Sequence, residues 1–247
     1  MNNLLKENER LDDLQLDNLE IIQRKDGYKF STDSVLLANF AKAKQNDIYV
    51  DLCSGSGVVA ILFSWKNKIK KSYAVEIQQR LADMAKRSIE HNNLSKRIEV
   101  LNINLNQTHN VLGYESVDVI TVNPPYNEAG LTSETDEIAM ATHELATNLS
   151  EIVKESSKLL KFGGKLFMVH RADRLVDILC ECRANKLEPK ILRVVYPKVS
   201  KEPNLILLEA HKGGKPGIKT QKPLILNEEN GAETEELKKI YCRKGVK

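Results

Sequence analysis

Three short segments hold the residue types that could do chemistry. The first is Val50-Asp51-Leu52-Cys53-Ser54-Gly55-Ser56-Gly57, an apolar run that passes into a glycine-rich turn and then into a helical pattern. Glycine lets the backbone approach a ligand closely, and a turn at the carboxyl end of a strand is where open α/β sheets bind cofactors. Gly55 to Ala60 also satisfies G-x-G-x-x-A, so the turn by itself suits a dinucleotide as well as an adenosyl cofactor. The second is Glu76, which ends the next apolar run within Ala74-Val75-Glu76-Ile77. A carboxylate at that strand end can accept both hydroxyl protons of a ribose. The third is Asn123-Pro124-Pro125-Tyr126, directly after Asp118-Val119-Ile120-Thr121-Val122. Two prolines fix φ and remove two N–H donors, so carbonyls and the Asn123 amide can form a rigid row of acceptors. A planar amino group fits that row, and Tyr126 offers an aromatic face on which a flat substrate could stack.

These segments need a scaffold that brings strand ends together. From Asp47 onward short apolar runs alternate with longer helical ones. Strands are expected at Ile48 to Cys53, Ser72 to Glu76, Ile98 to Leu101, Val117 to Val122, Lys165 to Val169, Ile191 to Val195 and Leu205 to Glu209. Helices are expected at Gly57 to Lys68, Gln79 to Asn92, Asp136 to Lys161 and Arg174 to Asn185. Such alternation gives parallel strands with right-handed crossovers and helices on both faces, a doubly wound sheet. Nearer the N-terminus, Leu19 to Gln23 reads as a strand, Arg24 to Gly27 as a turn and Tyr28 to Phe30 as the returning strand of a hairpin. Thr32 or Asp33 then caps a helix running to Lys42, with apolar residues at Val35, Leu36, Leu37 and Phe40.

Composition bounds the remaining choices. At 247 residues, 41% hydrophobic and 29% charged, the chain fits one α/β domain and is neither disordered nor repetitive. Lys plus Arg is 37 and Asp plus Glu is 34, a balance of +3 that does not mark a wholesale polyanion binder. The basic excess is local: Lys186 to Pro223 holds 9 basic and 3 acidic residues. The longest apolar run, Val58 to Phe63, is far short of the roughly 18 residues of a membrane span, and the polar N-terminus shows no secretory pattern, so a cytoplasmic location is expected. Cys53, Cys180, Cys182 and Cys242 lack zinc spacing, so no metal site is expected, and reduced, mostly buried thiols are the reading.

The order of the glycine turn, Glu76 and the Asn-Pro-Pro-Tyr tetrapeptide resembles the class I S-adenosylmethionine-dependent methyltransferases that modify amino nitrogens. Within them the chain is similar to the bacterial tRNA adenine-N6 methyltransferases that act on valine tRNA beside the anticodon. The likeness is carried by IIQRKDGYKFSTDSVLLANF near the start, ATHELA after the tetrapeptide, FGGKLFMVHRADRL, and KPLILNEENGAETEE followed by Ile240-Tyr241. It implies an α/β, Rossmann-like fold: a doubly wound, mostly parallel sheet with an antiparallel last strand and an N-terminal hairpin and helix extension. One domain, 1–247, is expected, divided into the extension (1–46), a core (47–210) and a C-terminal basic loop and tail (211–247).

The resemblance also implies roles. S-adenosylmethionine is the cofactor: Asp51, Ser54, Gly55 and Gly57 would hold its methionine part, Glu76 and Ile77 its ribose, and Asn104 and Leu105 its adenine, with Phe30 and Asp33 over the pocket. Asn104 stands where many relatives carry Asp, which removes a charge while keeping an acceptor carbonyl. Asn123, Pro124, Pro125 and Tyr126 would hold the adenine amino group for methyl transfer, and no strong base is needed, since the protein mainly positions reactants. tRNA is the expected partner, with Arg24, Lys25, Arg171, Arg174, Lys198 and Lys201 as candidate phosphate contacts. His143 and Glu144 invite a base assignment, but a packed or hydrogen-bonded role is the simpler reading, while His170 and Arg171 follow a strand end and could face the substrate cleft, where Arg would suit a phosphate. Four rivals are weighed from sequence: glutamine methylation of a protein such as a release factor, DNA adenine methylation, disfavoured because no inserted target-recognition region appears, a nicotinamide-dependent dehydrogenase, which leaves the tetrapeptide unexplained, and a non-catalytic RNA-binding protein. Oligomeric state is not legible.

Overall fold

A computed structural model of the chain describes residues 4–26, 31–124 and 149–241. Its frame is a nine-stranded sheet. The core strands are β3 (Ile48–Leu52), β4 (Lys71–Val75), β5 (Ile98–Leu101), β6 (Val117–Val122), β7 (Leu160–Arg171), β8 (Leu187–Tyr196) and β9 (Leu205–Lys212), with the short β10 (Lys219–Thr220) and β11 (Leu224–Ile225) on one edge. In space the order runs β5-β4-β3-β6-β7-β9-β8, and β10 and β11 both pair with β8. All core neighbours are parallel except β9, which is antiparallel to both β7 and β8. The antiparallel strand is therefore internal, inserted between two parallel ones.

Period-two side chains feed two separate apolar layers, because both faces of a doubly wound sheet are covered. Tyr49, Ala74, Val119, Phe167 and Val169 face one layer, and there they meet α1 (Thr32–Phe40), α2 (Val58–Lys66) and α3 (Gln79–His91). Val50, Leu52, Val75, Ile120, Val122 and Met168 face the other and meet α5 (Leu149–Leu159) and α6 (Leu175–Ala184). Between β5 and β6 the chain makes a single tight turn at Leu105–Gln107 and the short α4 (Thr108–Leu112). The tail is part of this core, since Leu224 of β11 and Leu237 of α7 (Glu235–Ile240) are buried in the α1 layer.

Two expectations are corrected. The described N-terminal hairpin pairs β1 (Glu9–Asp13) with β2 (Glu20–Arg24), in the register Glu9↔Arg24, a strand partner the sequence did not suggest, while Tyr28 to Phe30, the expected returning strand, lie outside the described residues. Glu9-Arg10-Leu11-Asp12-Asp13 is too charged to read as a strand, and long-range partners hold it: Glu9 is buried and takes a bidentate pair from Arg87 of α3 at 2.7 and 2.8 Å. The second correction is the cap of α1. Ser31 occupies the N-cap position with extended backbone and no side-chain cap bond, and the helix stops at Phe40 instead of Lys42. Among the thiols, Cys182 is buried but Cys180 is exposed, and Cys242 lies outside the described residues.

Arg87 also pairs with Asp83 at 2.8 Å and donates to the Leu4 carbonyl, so it holds the hairpin's first strand onto α3. It holds the Glu9 carboxyl below the usual range. Arg87→Ala removes the ion-pair partner of that buried carboxylate, leaving it the Lys6 backbone N–H at 2.8 Å, and should cost about 3 kcal/mol, the low end for breaking a buried pair. Because the Glu9 shift is downward, the loss is fullest above the ordinary carboxylate pKa and shrinks as pH falls and Glu9 protonates. Chemical denaturation of wild type and variant at pH 7 and pH 4 checks both the size and the pH trend.

Candidate active site

Strand order reverses between β3 and β6, so their carboxyl ends flank the crevice where open α/β sheets bind ligands. The register puts Asp51 beside Thr121 and Leu52 beside Val122, and the glycine turn and Asn123 therefore leave the sheet side by side. The turn is sharp: Cys53, Gly55 and Gly57 have φ of 58°, 57° and 92°. A Cβ on Gly57 would sit 3.2 Å from Cβ of Ala85, which accounts for glycine where α2 packs against α3. A Cβ on Gly55 would meet nothing within 4 Å, so that face of the loop opens onto space a ligand can fill.

Asp51 lies under the turn rather than on its open face, with 1% of its surface exposed. Thr121 Oγ1 donates to its Oδ1 at 2.6 Å, Ser54 Oγ donates to its Oδ2 at 2.7 Å, and the Ala60 backbone N–H adds a third bond. Thr121 spends its one proton on Asp51, so the Tyr49 hydroxyl, 2.6 Å away, must donate to Thr121. Burial drives the Asp51 pKa up to about 7, the hydrogen bonds oppose it, and nearby Glu76 adds to it.

Glu76, at the end of β4, is 6% exposed. Its Oε2 accepts from Gly55 N at 2.8 Å and its Oε1 from Gln78 N at 2.9 Å, and burial raises its pKa too. A carboxylate offers about four lone-pair positions, so the backbone bonds from Gly55, Gln78 and Ile77 leave capacity for one hydroxyl donor. Beside it Ile77 is 41% exposed, an apolar shelf whose backbone carbonyl, with that of Glu76, accepts from Asn102 Nδ2. Asn104 is exposed and its side chain caps the next turn, accepting from Asn106 N at 2.9 Å, while Leu105 is buried. Asp33 sits in the first turn of α1, and burial raises its pKa.

The site has residues that sequence reasoning missed. Thr121 and Tyr49 form the bridge beneath the turn, and a hydroxyl interrupting the apolar run before Asn123 was the available signal. Ser34 of α1 accepts from Asn123 Nδ2 at 3.0 Å, and Gln23 of β2 donates to Ser56 Oγ at 2.6 Å. Phe30, Pro125, Tyr126, His143 and Glu144 lie outside the described residues. His170, at the end of β7, accepts from Arg171 N on Nδ1, and burial with the neighbouring arginines lowers its pKa to about 4, so it is neutral near pH 7.

The candidate cationic contacts sit in two places. Arg171, Arg174, Lys198 and Lys201 gather near the carboxyl ends of β7 and β8, at the same sheet edge as the crevice; Arg24 and Lys25 end the hairpin. Several have local partners: Arg24 with Asp26 at 2.9 Å, Arg171 with Asp173 at 2.6 Å, Arg174 with Asp177 at 2.7 Å, and Lys198 with the Glu229 carbonyl at 3.1 Å. Among the described residues no cluster of three or more His, Cys, Asp and Glu is placed to hold a metal, and no helix is long and apolar enough to cross a membrane.

The model of the methyltransferase small domain family matches residues 26–177, a span that contains the glycine turn, Glu76 and Asn123. The chain belongs to this family. Among curated relatives, a protein of Porphyromonas gingivalis is 25% identical over 187 residues (73% of each chain) and one of Aeromonas hydrophila is 26% identical over 186 residues (75% of this chain, 77% of the relative). A Haemophilus influenzae relative is 25% identical over 213 residues, covering 84% of this chain and 87% of its own. All three are named tRNA1(Val) (adenine(37)-N6)-methyltransferase. The fold is also that of a predicted O-methyltransferase from Agrobacterium tumefaciens, with a TM-score of 0.70 at 21% identity over 85% of this chain and 95% of that one. TYW2 of M. jannaschii, solved with AdoMet, gives 0.57 at 15% identity over 83% of this chain and 86% of that one.

The methyltransferase uses S-adenosylmethionine, and its crevice suits that group. The open face at Gly55 and the remaining acceptor capacity of Glu76 fit a ribose hydroxyl. The burial of Asp51 has a cost without ligand. The native state keeps on Asp51 a proton that the unfolded chain, with an ordinary pKa near 3.9, releases, so stability falls as pH rises from about 4 through about 7. Thermal melts of the cofactor-free enzyme should therefore show a midpoint that drops between pH 5 and pH 8. Asp51→Asn should flatten that slope, with Glu76 keeping part of it, and an unchanged slope would show that Asp51 is already ionised at pH 5.

Proposed function

We propose that the enzyme methylates the N6 amino group of adenine in tRNA, with the adenine beside the anticodon of valine tRNA as the target. The observation that carries this reading is the placement of Asn123 and Pro124 at the switch point, one strand over from the glycine turn, because Leu52 and Val122 are register partners. The names of the curated relatives support the choice of tRNA.

Bound S-adenosylmethionine supplies an already activated methyl group. The chain's part is binding and aim. Glu76 would accept from a ribose hydroxyl, Gly55 and Gly57 would let the backbone close on the methionine part, and Asp51 would keep the turn in shape from below. Ile77 would sit beside the ribose and Leu105 would flank the adenine of the cofactor, with Asn104 fixing the turn that follows, and Phe30 and Asp33 would close the pocket. Asn123 Oδ1 and the Pro124 carbonyl would accept hydrogen bonds from the two N–H groups of the substrate amino group, turning its nitrogen lone pair toward the methyl donor; the nitrogen, once methylated, would release one proton to water, and Tyr126 would stack on the base. Two acceptors on one amino group favour the pyramidal nitrogen that attack requires. Such orientation can account for roughly 7 to 11 kcal/mol of barrier lowering.

Transfer of labelled methyl from S-adenosylmethionine to unmodified bulk tRNA, release factor and DNA tests the reading. Label is expected in tRNA as N6-methyladenine, with Asn123→Ala lowering kcat at least about a hundredfold and Glu76→Ala acting mainly on cofactor affinity. Label in release factor instead would keep the chemistry and replace the substrate.

Arg171, Arg174, Lys198 and Lys201 line the edge that the anticodon arm would cross, with Arg24 and Lys25 on the hairpin. Replacing Lys198 and Lys201 together by Ala should reduce the slope of log affinity against log salt by about 1.4 to 1.8, from two lost phosphate contacts. An unchanged slope in filter binding at several salt concentrations would remove both from the RNA surface.

A further inference from the structure

Two polar side chains of the N-terminal extension are buried and reach the site from outside the sheet. Gln23 is 2% exposed and donates to Ser56 of the glycine turn, and Ser34 is 8% exposed and accepts from Asn123. Buried polar groups keep partners because an unmade bond there costs the full desolvation of the group. Ser34 also sits on a well-anchored support. Its neighbours Val35, Leu36 and Leu37 are buried in the layer that α1 shares with α2, and the Tyr241 hydroxyl reaches back to Thr32 in the same first turn.

The terminal torsion of an asparagine is broad and roughly two-fold, so nothing in the side chain itself decides which of its ends, carbonyl or NH2, faces a given direction. A partner anchors one end. With Nδ2 turned to Ser34, Oδ1 lies on the opposite side of Cγ, and a helix from outside the strand that carries Asn123 holds the NH2 end of the amide. We propose that Ser34 is a positioning residue: its hydroxyl anchors the NH2 end of the Asn123 amide, so that the acceptor end is already aimed when the substrate amino group arrives. This rests on the reading that Asn123 receives that amino group, and it adds that the N-terminal extension, not only the sheet, sets the geometry of transfer.

Ser34→Ala is the direct test. Alanine is the better helix former, so α1 is kept and only the hydroxyl is lost. The expected result is a fall in kcat of about ten- to a hundredfold with KM for S-adenosylmethionine within about twofold of wild type, since the bond lost is the one to Asn123 and not one to the glycine turn. Ser34→Thr, which keeps a hydroxyl, should recover most of the rate. The side-chain NH2 resonances of Asn123, identified by their disappearance in Asn123→Ala, should shift in Ser34→Ala in cofactor-free protein. Kinetics are measured on whichever acceptor among tRNA, release factor and DNA wild type labels. Labelling of release factor therefore overturns the tRNA assignment and leaves the Ser34 effect measurable. A Ser34→Ala kcat within about twofold of wild type overturns the Ser34 proposal while leaving tRNA methylation standing, and unmoved Asn123 resonances overturn it whatever the acceptor.

Discussion

The site depends on one buried carboxylate. Asp51 ends a strand in the middle of the sheet, where water cannot solvate it, and an ion there is tolerated only when hydrogen bonds replace the lost water. Three do so, and each comes from a part of the crevice: Thr121 from the neighbouring strand, Ser54 from the turn and the Ala60 amide from the start of α2. The strand that presents Asn123 and the turn that faces the ligand are thus tied through the same two oxygens. A pKa of about 7 shows that the bonds only partly offset burial.

Around that knot the two halves of the crevice are braced from one side. The hairpin reaches the glycine turn through Gln23 and the first turn of α1 reaches Asn123 through Ser34, while Arg87 holds the hairpin to α3. Glu76 belongs to the same arrangement, since it accepts from the Gly55 and Gln78 amides and so joins the glycine turn to the chain leaving β4. The tail completes the support, with Leu237 of α7 buried beside α1. An extension and a tail that look peripheral along the chain therefore lie in the same layer as α2.

Much of the frame was legible because its signals are local. Ile98 to Leu101 and Val117 to Val122 have the expected bounds, and the helix at 79–91 ends one residue early, since apolar periodicity fixes such elements without help from elsewhere. The hairpin partner was not legible. Glu9 to Asp13 becomes a strand only because Glu9 meets Arg87, seventy-eight residues away, and no local pattern records that contact. Lys165 to Val169 was read too short for a related reason: the β6–β7 register shifts between Val117 and Val119, and Leu160 to Gly164 joins the strand through that irregularity.

The sequence by itself determined the chemistry on offer: a glycine turn after a strand, an acid at the next strand end, and an asparagine fixed between an apolar strand and two prolines. Those follow from residue type and spacing along the chain. Tertiary structure alone decided what each group is bonded to. It put Thr121 against Asp51 through strand register, set β9 inside the sheet, and brought Ser34, eighty-nine residues away, to the Asn123 amide. Hydrogen bonds act over about 3 Å in space and carry no trace in the order of residues, so partners this far apart become visible only once the sheet is wound.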